Sequence, residues 1–279
     1  MLVTGSRKGI GYAIVKKLAH DIPNSTFYVT SRSLEDAKKA VKQLEGEFEG
    51  IQAIPLELDV QKETSIESLV TTVPIIDILI NNAGIMFNGR LVNDEIITTT
   101  LSTNFYGQIS ITDKLISAGK LSKKSKIIFV SSKLGMITKV EKNNKTAGAK
   151  LRAYQNTKDG QPQTDMTADD LIAIVDEYLS DIKDAAKKKL WPTSIYAMSK
   201  MFLTVYAFLL SRSKEIRDLE AQVYACCPGW CQTDLTKGSN APKTADEGAV
   251  TPCMLACLPE QIDVSMQGQF VSEGKVTQI

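Results

Sequence analysis

This sequence of 279 residues has little histidine, no large surplus of charge of either sign and no long apolar runs. The single histidine, His20, falls near the end of a predicted helix, which argues against histidine-based catalysis and histidine metal ligation. Lysine and arginine (33) almost balance aspartate and glutamate (32), so the chain lacks the basic field of a non-specific nucleic-acid binder. No apolar stretch approaches the roughly 18 residues of a membrane span. We therefore expect a chain that binds neither nucleic acid nor membrane.

Cysteine is absent until late in the chain, where five residues cluster: Cys226, Cys227, Cys231, Cys253 and Cys257. An odd number and the lack of C-x₂-C pairs argue against both a secreted disulfide framework and a zinc site. We also expect no secretory leader, because the first predicted strand starts at the initial methionine. These observations predict a reducing, cytoplasmic location and no bound metal. The rest of the composition, 43% hydrophobic and 23% charged, suits a domain with a large core.

The first eleven residues carry the strongest local pattern, an apolar run that ends in Gly5 and is followed by Gly9 and Gly11. Apolar residues then recur at helical spacing. Gly5 permits a tight turn, Gly9 lets the backbone approach a phosphate, and Gly11 lets the helix pack close to the strand. The open N–H groups at the start of the helix would face the anion. An ordinary glycine-rich turn remains the alternative, because the spacing G-x-x-x-G-x-G is not the common one.

Apolar runs separated by helical patterns predict an α/β fold. The crossovers are long enough for helices, so we expect a doubly wound, mostly parallel sheet of about seven strands with helices on both faces. Ligands then bind beyond the carboxyl ends of the strands. The predicted strands are Leu2–Thr4, Thr26–Thr30, Ile51–Leu58, Ile75–Ile80, Lys126–Val130, Gln222–Ala225 and Gly268–Val271.

Polar or small residues follow most of these strands. They include Asp59-Val60, Asn82-Ala83-Gly84, Ser131-Ser132 and Pro228-Gly229, with Thr233 close behind. Each group alone is compatible with turn chemistry, and Asp59 is equally compatible with a helix cap. Their shared position at strand ends favours a ligand site. Asp59 would accept a hydrogen bond from an adenine amino group.

Three basic residues favour NADPH over NADH. Arg32 follows the second strand, where NADH-binding chains carry an acid for the ribose hydroxyl, and arginine suits a 2′-phosphate. Arg7 and Lys8 add positive charge to the glycine turn. The alternative is that all three are solvated surface bases.

Residues 138–190 differ in character from the rest and predict an insertion in a single domain that spans residues 1–279. The insertion contains one clear helix, which begins at a capping box of Thr167 and Asp170. Its apolar stripe comprises Leu171, Val175, Tyr178, Leu179 and Ile182, and we expect it to pack on the main domain.

Tyr196 and Lys200 are the candidate proton-transfer pair. Residues four apart share one helix face, and a nearby ammonium would lower the phenol pKa from about 10 and improve the phenol as a proton donor near neutral pH. The spacing is unspecific, because Tyr12/Lys16 and Tyr154/Lys158 repeat it. Only Tyr196 begins a long apolar helix that leads into a strand and the Pro228-Gly229 turn. Context therefore selects Tyr196.

The set Thr4-x₄-Gly9-Ile10-Gly11, Asn81-Asn82-Ala83-Gly84, Asn104, Ser132 and Tyr196/Lys200 resembles the short-chain dehydrogenases/reductases, which have a Rossmann-type fold. Within that family the chain is most similar to the monomeric NADPH-dependent carbonyl reductases of animals. The likeness extends to Trp191-Pro192, residues 225–230 and the tail at 268–273. Ser132 and Tyr196 are 64 residues apart, and the insertion accounts for the excess, as in those reductases. The resemblance implies a monomer, because the inserted helix covers a surface that other members use to oligomerise.

The resemblance also implies roles. Hydride passes from the cofactor to the carbonyl carbon, Tyr196 donates the proton, Ser132 hydrogen-bonds the developing oxyanion, Lys200 acts on Tyr196 and the nicotinamide ribose, and Asn104 holds a water. Ser132 is preferred to Ser131 because the family motif uses the second serine. The expected cofactor-binding residues are Thr4, Gly5, Arg7, Lys8, Gly9, Ile10, Gly11, Arg32, Asp59, Val60, Asn82, Ala83, Gly84, Pro228, Gly229, Cys231 and Thr233.

Substrate would contact Ser132 and Tyr196 and an apolar wall of Leu134, Met136 and Trp230, with residues near 85–87. Such a wall suits an aromatic carbonyl compound or quinone, although each member could equally be core. Cys227 matches a cysteine that reacts with glutathione or quinones in the resembled subgroup, so glutathione conjugates are an additional candidate ligand. An inert buried thiol is the alternative. The other functions left open are a hydroxysteroid or hydroxyprostaglandin dehydrogenase and a non-catalytic NADPH-binding protein.

Overall fold

One eight-stranded sheet organises the chain in a computed structural model that describes residues 1–87, 93–152, 166–261, 263 and 265–279. The strand order is β3-β2-β1-β4-β5-β6-β7-β8, parallel throughout except for the final β7–β8 pair. The doubly wound sheet predicted from the sequence is therefore confirmed. Its strands are β1 (Leu2–Val3), β2 (Thr26–Ser31), β3 (Gln52–Glu57), β4 (Ile76–Asn81), β5 (Leu121–Val130), β6 (Gln222–Cys227), β7 (Phe270–Ser272) and β8 (Lys275–Val276).

Helices connect the parallel strands, and among the described residues none is long and apolar enough to cross a bilayer. A π-helical turn, Ser102–Tyr106, joins the fourth helix to the fifth, and short 3₁₀ turns occupy Lys188–Leu190 and Asp234–Thr236. The α-helices are α1 (Gly9–Asp21), α2 (Leu34–Glu47), α3 (Glu63–Thr72), α4 (Asp94–Leu101), α5 (Gly107–Ser117), α6 (Ile137–Asn143), α7 (Lys145–Arg152), α8 (Ala168–Asp181), α9 (Ile195–Leu210), α10 (Lys214–Leu219) and α11 (Ala245–Ala256).

The sheet carries a hydrophobic core on each face, which explains why its strands are continuous apolar runs. In β5, Ile128 and Val130 point to the core that includes α1, α2 and α11, whereas Ile127 and Phe129 point to the core that includes α3, α5 and α9. Successive strand residues alternate between the two faces. With both faces covered, the carboxyl edge of the sheet is left for a ligand.

Two strands differ from the expectation. β5 begins at Leu121, five residues before the predicted Lys126, because its polar first half pairs with β4 across a register shift. Lys124 has a φ of +60° in this irregular stretch. The two-residue β8 adds an antiparallel edge that apolar periodicity does not reveal.

The insertion contains three helices in its described part, not one. α6 and α7 were not predicted, because each is short and buries only a few apolar residues, such as Val140 and Leu151. Gly148 lets them approach closely, since an added Cβ there would lie 2.6 Å from the Glu141 Cα. The prediction for α8 is confirmed: Thr167 and Asp170 form its capping box. Its buried residues are Leu171, Ile174, Val175, Tyr178 and Asp181.

Candidate active site

The glycine turn lies where the strand order reverses, between β1 and β4. Gly5 and Gly9 have φ values of +63° and +59°, a region that side chains disfavour. An added Cβ at Gly11 would lie 2.5 Å from both the Gly5 carbonyl oxygen and the Asn82 Nδ2 atom. The first turn of α1 has no side-chain cap, because Lys8 supplies no acceptor. The glycine turn and the uncapped N-terminus of α1 offer backbone N–H groups to a ligand, an arrangement that fits the pyrophosphate of a dinucleotide.

A buried hydrogen-bond network fixes this turn to the end of β4. The Thr4 hydroxyl accepts bonds from the Asn82 and Ala83 N–H groups, both at 2.9 Å, and donates to Gln108 Oε1 at 3.2 Å. Asn82 Nδ2 donates to the Thr4 and Gly5 carbonyls at 2.9 and 3.2 Å. The Thr4 and Asn82 side chains therefore hold the two loops together, and only their backbone is left to contact a cofactor.

Gln108 is part of this network, and the sequence did not point to it. Its side-chain amide donates to the carbonyls of Ala83 and Thr103 at 3.1 and 2.9 Å, and the residue is fully buried. Gln108 follows Asn104 by four residues, so a polar pair at helical spacing was the available signal.

Tyr196 and Ser132 are brought together by the structure. Ser194 caps the start of α9 by accepting a bond from the Ala197 N–H at 3.2 Å, so Tyr196 lies in the first helical turn. The Ser132 hydroxyl lies close enough to the Tyr196 phenol to lower the pKa of that phenol. Ser131, in contrast, donates to the Lys200 carbonyl at 2.8 Å and bonds the Thr204 hydroxyl at 2.6 Å. The Ser131 hydroxyl thus attaches the end of β5 to α9, and Ser132 is the serine left to face the site.

The pKa of Tyr196 is raised in this structure, where the sequence predicted a lowered value. Burial, with a smaller contribution from nearby Cys227, raises the pKa of Tyr196 to about 12, and the Ser132 hydroxyl offsets only part of this rise. The Lys200 ammonium donates to the Val130 carbonyl at 2.8 Å and lies 6.0 Å from the centre of the Tyr196 ring. Burial lowers the pKa of Lys200 to about 8. Desolvation by burial is the largest cause of both shifts.

Asn104 lies in the π-helical turn, a distortion that often marks functional sites. Its side chain pairs with the Ile85 backbone at 2.8 and 2.9 Å, and Nδ2 also donates to the Ser199 hydroxyl at 3.0 Å. An added Cβ at Gly84 would lie 3.3 Å from both Asn104 Oδ1 and Lys200 Nζ. Asn104 and Lys200 therefore flank one backbone segment.

The three basic residues near the cofactor cradle differ in their partners. Arg7 lies 3.5 Å from the Asp36 carboxylate, and Lys8 forms an ion pair with Asp234. Arg32 is exposed and forms no hydrogen bond or ion pair with any described residue, so its charge is the one available to a 2′-phosphate.

The remaining predicted cofactor contacts surround the cradle. Asp59 does not cap α3, whose N-cap is Lys62; its side chain accepts from the Gln61 N–H at 3.1 Å, and Val60 beside it is buried. Thr233 packs within 3.5 Å of the position that a Cβ at Gly9 would take. Partly buried Ile10 and buried Cys231 both face Gly248 on α11. Half-buried Pro228 and Gly229 follow β6.

Two predicted wall residues are exposed and so are not core. Leu134 is 49% exposed and Trp230 53%, whereas Met136 is half-buried. The Leu134 N–H donates to the Ser132 hydroxyl at 3.1 Å, which fixes this wall to the site. Phe87, predicted near the wall, is also 49% exposed.

The competing tyrosines are separated from this site or not described. The Tyr12 phenol donates to Glu47 at 3.0 Å, and Tyr154 and Lys158 lie outside the described residues. Cys227 is buried, and its sulfur accepts a bond from the Gly229 N–H at 3.4 Å.

Comparison with known proteins agrees with this geometry. A family model described as short chain dehydrogenase matches residues 1–150. The mouse protein carbonyl reductase [NADPH] 1 is 30% identical over 291 residues, covering 99% of this chain and 96% of its own. Salutaridine reductase from Papaver somniferum superposes with a TM-score of 0.79 at 25% identity, covering 96% of this chain and 98% of its own. Menthone neomenthol reductase from Mentha piperita gives a TM-score of 0.77 at 25% identity, with 98% of each chain covered. With a family model over more than half its length and a relative at 30% identity along nearly all of it, the chain belongs to the short-chain dehydrogenase family.

Proposed function

We propose that this chain is an NADPH-dependent carbonyl reductase that converts aromatic ketones, aldehydes and quinones to the corresponding hydroxyl compounds. The observation that carries the proposal is the proximity of the Ser132 hydroxyl to the Tyr196 phenol at the carboxyl edge of the sheet. The cofactor assignment is supported by the bare glycine cradle, by the unpartnered Arg32, and by the mouse relative, whose name specifies NADPH. The protein works as a monomer in the cytoplasm on small molecules.

The cofactor supplies a hydride from its nicotinamide when bound, and this chain's residues do the rest. The N-terminus of α1 and Arg32 would hold its phosphates, and Lys200 would bind its ribose. Tyr196 donates a proton to the carbonyl oxygen, while Ser132 donates a hydrogen bond to the same atom as negative charge develops there. The Lys200 ammonium stabilises the phenolate that remains.

A spectrophotometric assay tests this function. NADPH absorbance at 340 nm should fall when the purified protein meets menadione or isatin. Tyr196→Phe removes the proton donor and should lower kcat by about 10²- to 10⁴-fold. Tyr12→Phe is the matched control, because Tyr12 also precedes a lysine by four residues but bonds Glu47, and it should retain the wild-type rate. A Tyr196→Phe variant with an undiminished rate would overturn the mechanism.

Alcohol oxidation, as by a hydroxysteroid or hydroxyprostaglandin dehydrogenase, is less favoured than reduction. Oxidation begins with the phenolate as base, and the pKa of Tyr196, about 12, keeps the phenol protonated near neutral pH. A panel of steroid and prostaglandin alcohols compared by kcat/KM against carbonyl compounds distinguishes the two directions. NADPH binding in calorimetry without turnover of any substrate would indicate a binding protein instead.

A further inference from the structure

Three charged side chains from separate elements meet beside the candidate site. Lys133, the residue after Ser132, lies 3.9 Å from the Glu273 carboxylate, and Lys243 lies 3.1 Å from its other oxygen. Lys133 follows β5, Glu273 follows β7, and β6 with its Pro228-Gly229 turn runs between them. The carboxyl ends of these parallel strands share one edge of the sheet, so the two ammonium groups lie at the rim of the site that contains Ser132.

The backbone fixes the position of Lys243. Its N–H donates to the Trp230 carbonyl at 3.2 Å, and its carbonyl accepts from the Gln232 N–H at 2.7 Å. The aliphatic stem lies over Gly229, where an added Cβ would be 2.9 Å from the lysine Cδ. Lys243 therefore presents its ammonium beside Gly229, the residue before Trp230 of the predicted substrate wall.

Glu273 occupies an unusual turn position. It and Gly274 form the two-residue connection of the β7–β8 hairpin, with φ values of +53° and +73°. Such turns favour asparagine, aspartate or glycine, so a glutamate here carries some backbone strain. The turn places its carboxylate between the two lysines, and neither lysine is buried: their side chains are 48% and 31% exposed.

Positive charge exceeds negative charge around this rim. Lys275 also acts on Glu273, and with Lys133 and Lys243 it lowers the pKa of that carboxyl. Lys139 donates to the Leu134 carbonyl at 3.3 Å, on the Ser132 side of the rim. Glu247, at the start of α11, also interacts with Lys243. The carboxylates of Glu273 and Glu247 are thus fewer than the lysines Lys133, Lys139, Lys243 and Lys275.

We propose that Lys133 and Lys243 bind the carboxylate of an anionic carbonyl substrate, so that acids are preferred over neutral analogues of the same shape. Glu273 holds both ammonium groups apart and competes with the substrate for them. This inference rests on the proposed function, and it assigns Lys133 and Lys243 to specificity, leaving the proton transfer to Tyr196. Because the lysines are partly exposed, the effect is modest and is screened by salt.

Matched substrates test the inference: 3- and 4-carboxybenzaldehyde against their methyl esters, each measured as kcat/KM with saturating NADPH. Lys133→Gln and Lys243→Gln should each lower the acid-to-ester ratio about three- to fivefold for at least one isomer, mainly through KM. Glu273→Gln should raise the ratio, since the competing carboxylate is gone. High salt should lower the ratio of the wild-type protein.

Lys123→Gln is the control variant. Lys123 pairs with Glu220 at 3.8 Å near the start of β5, at the end of the strand opposite to the one that Lys133 follows, so the ratio should not change. If Lys133→Gln and Lys243→Gln match this control while the esters are still reduced, the inference is wrong and the proposed function stands. If the wild-type protein reduces neither ester nor acid, the proposed function is wrong as well.

Discussion

At the scale of single residues, the burial of Lys200 and Tyr196 sets the protonation states of the site. Burial keeps the pKa of the phenol near 12 and lowers that of the lysine to about 8. The phenol therefore retains its proton at neutral pH, as a donor in reduction requires. Because the pKa of Lys200 is only slightly above neutral pH, a small rise in pH removes the charge of this lysine. That charge stabilises the phenolate that proton transfer leaves on Tyr196.

The pH dependence of reduction follows from these values. We expect kcat/KM to be level around pH 6–7 and to fall as the pH rises through about 8, because Lys200 then becomes neutral while Tyr196 remains protonated. Lys200→Arg should be slower but should lack this alkaline decline, because guanidinium keeps its charge. An alkaline decline at the same pH in Lys200→Arg would contradict the assignment to Lys200.

Cofactor choice depends on Arg32. Since Arg32 has no described partner whereas Arg7 and Lys8 each face a carboxylate, Arg32→Ala should raise the KM for NADPH about tenfold and leave the KM for NADH unchanged. Steady-state kinetics with both cofactors measure the ratio. Lys42→Ala, a neutralised exposed cation on α2, should leave the ratio as it is. An unchanged ratio in Arg32→Ala would refute this account of the 2′-phosphate site.

Residue types and strand ends were enough to predict which side chains gather at the site, but not how they bond. The choice of Ser132 over Ser131 came from family resemblance, and the physical reason, the attachment of Ser131 to α9, needs three dimensions. The sequence predicted a lowered pKa for Tyr196, whereas the pKa is raised. The prediction failed because desolvation depends on burial, and helical spacing does not report burial.

At the scale of elements, α8 joins the domain through an aromatic cluster that includes one residue of α9 and one of the segment before it. Tyr178 meets Trp191 and Phe202 edge to face, with ring centres 5.3 and 5.6 Å apart. The Trp191 indole N–H donates to the buried Asp181 carboxylate at 3.0 Å. The hydroxyl of Tyr178 is buried and has no hydrogen-bond partner among the described residues. The Trp191 N–H thus has a hydrogen-bond partner, whereas the Tyr178 hydroxyl has none among the described residues.

Two conservative substitutions should therefore have opposite outcomes. Trp191→Phe deprives the buried Asp181 of its indole donor and should lower the free energy of unfolding by about 1–3 kcal/mol. Tyr178→Phe removes an unsatisfied hydroxyl and should leave the stability unchanged or raise it by about 1 kcal/mol. Urea unfolding followed by circular dichroism measures both. Equal losses in the two variants would contradict the difference in hydrogen bonding.

Long periodic elements were predictable and short ones were not. The capping box and apolar stripe of α8 identify that helix from sequence, because amphipathic periodicity extends over four turns. α6 and α7 are too short for such a signal, and their formation depends on the packing of Gly148 against Glu141. The strand β8 depends on the hairpin turn at Glu273, where the residue type disfavours the observed backbone.

At the scale of the whole molecule, the inserted helix covers the surface of α9, since Tyr178 packs against Phe202 there. We expect this cover to leave the protein monomeric. Sedimentation equilibrium should give a mass of 30.6 kDa that does not change with concentration. A mass twice that value would show that the insertion does not prevent dimerisation.

The site has a buried floor and an exposed rim, and the two are attached differently. The side chains of Asn82, Asn104 and Ser131 each bond a segment distant in sequence, so the floor is assembled as the chain folds. Leu134 and Trp230 project outward from short loops. Substitutions in these exposed loops can therefore change which substrates bind, while the residues of the buried floor keep their positions.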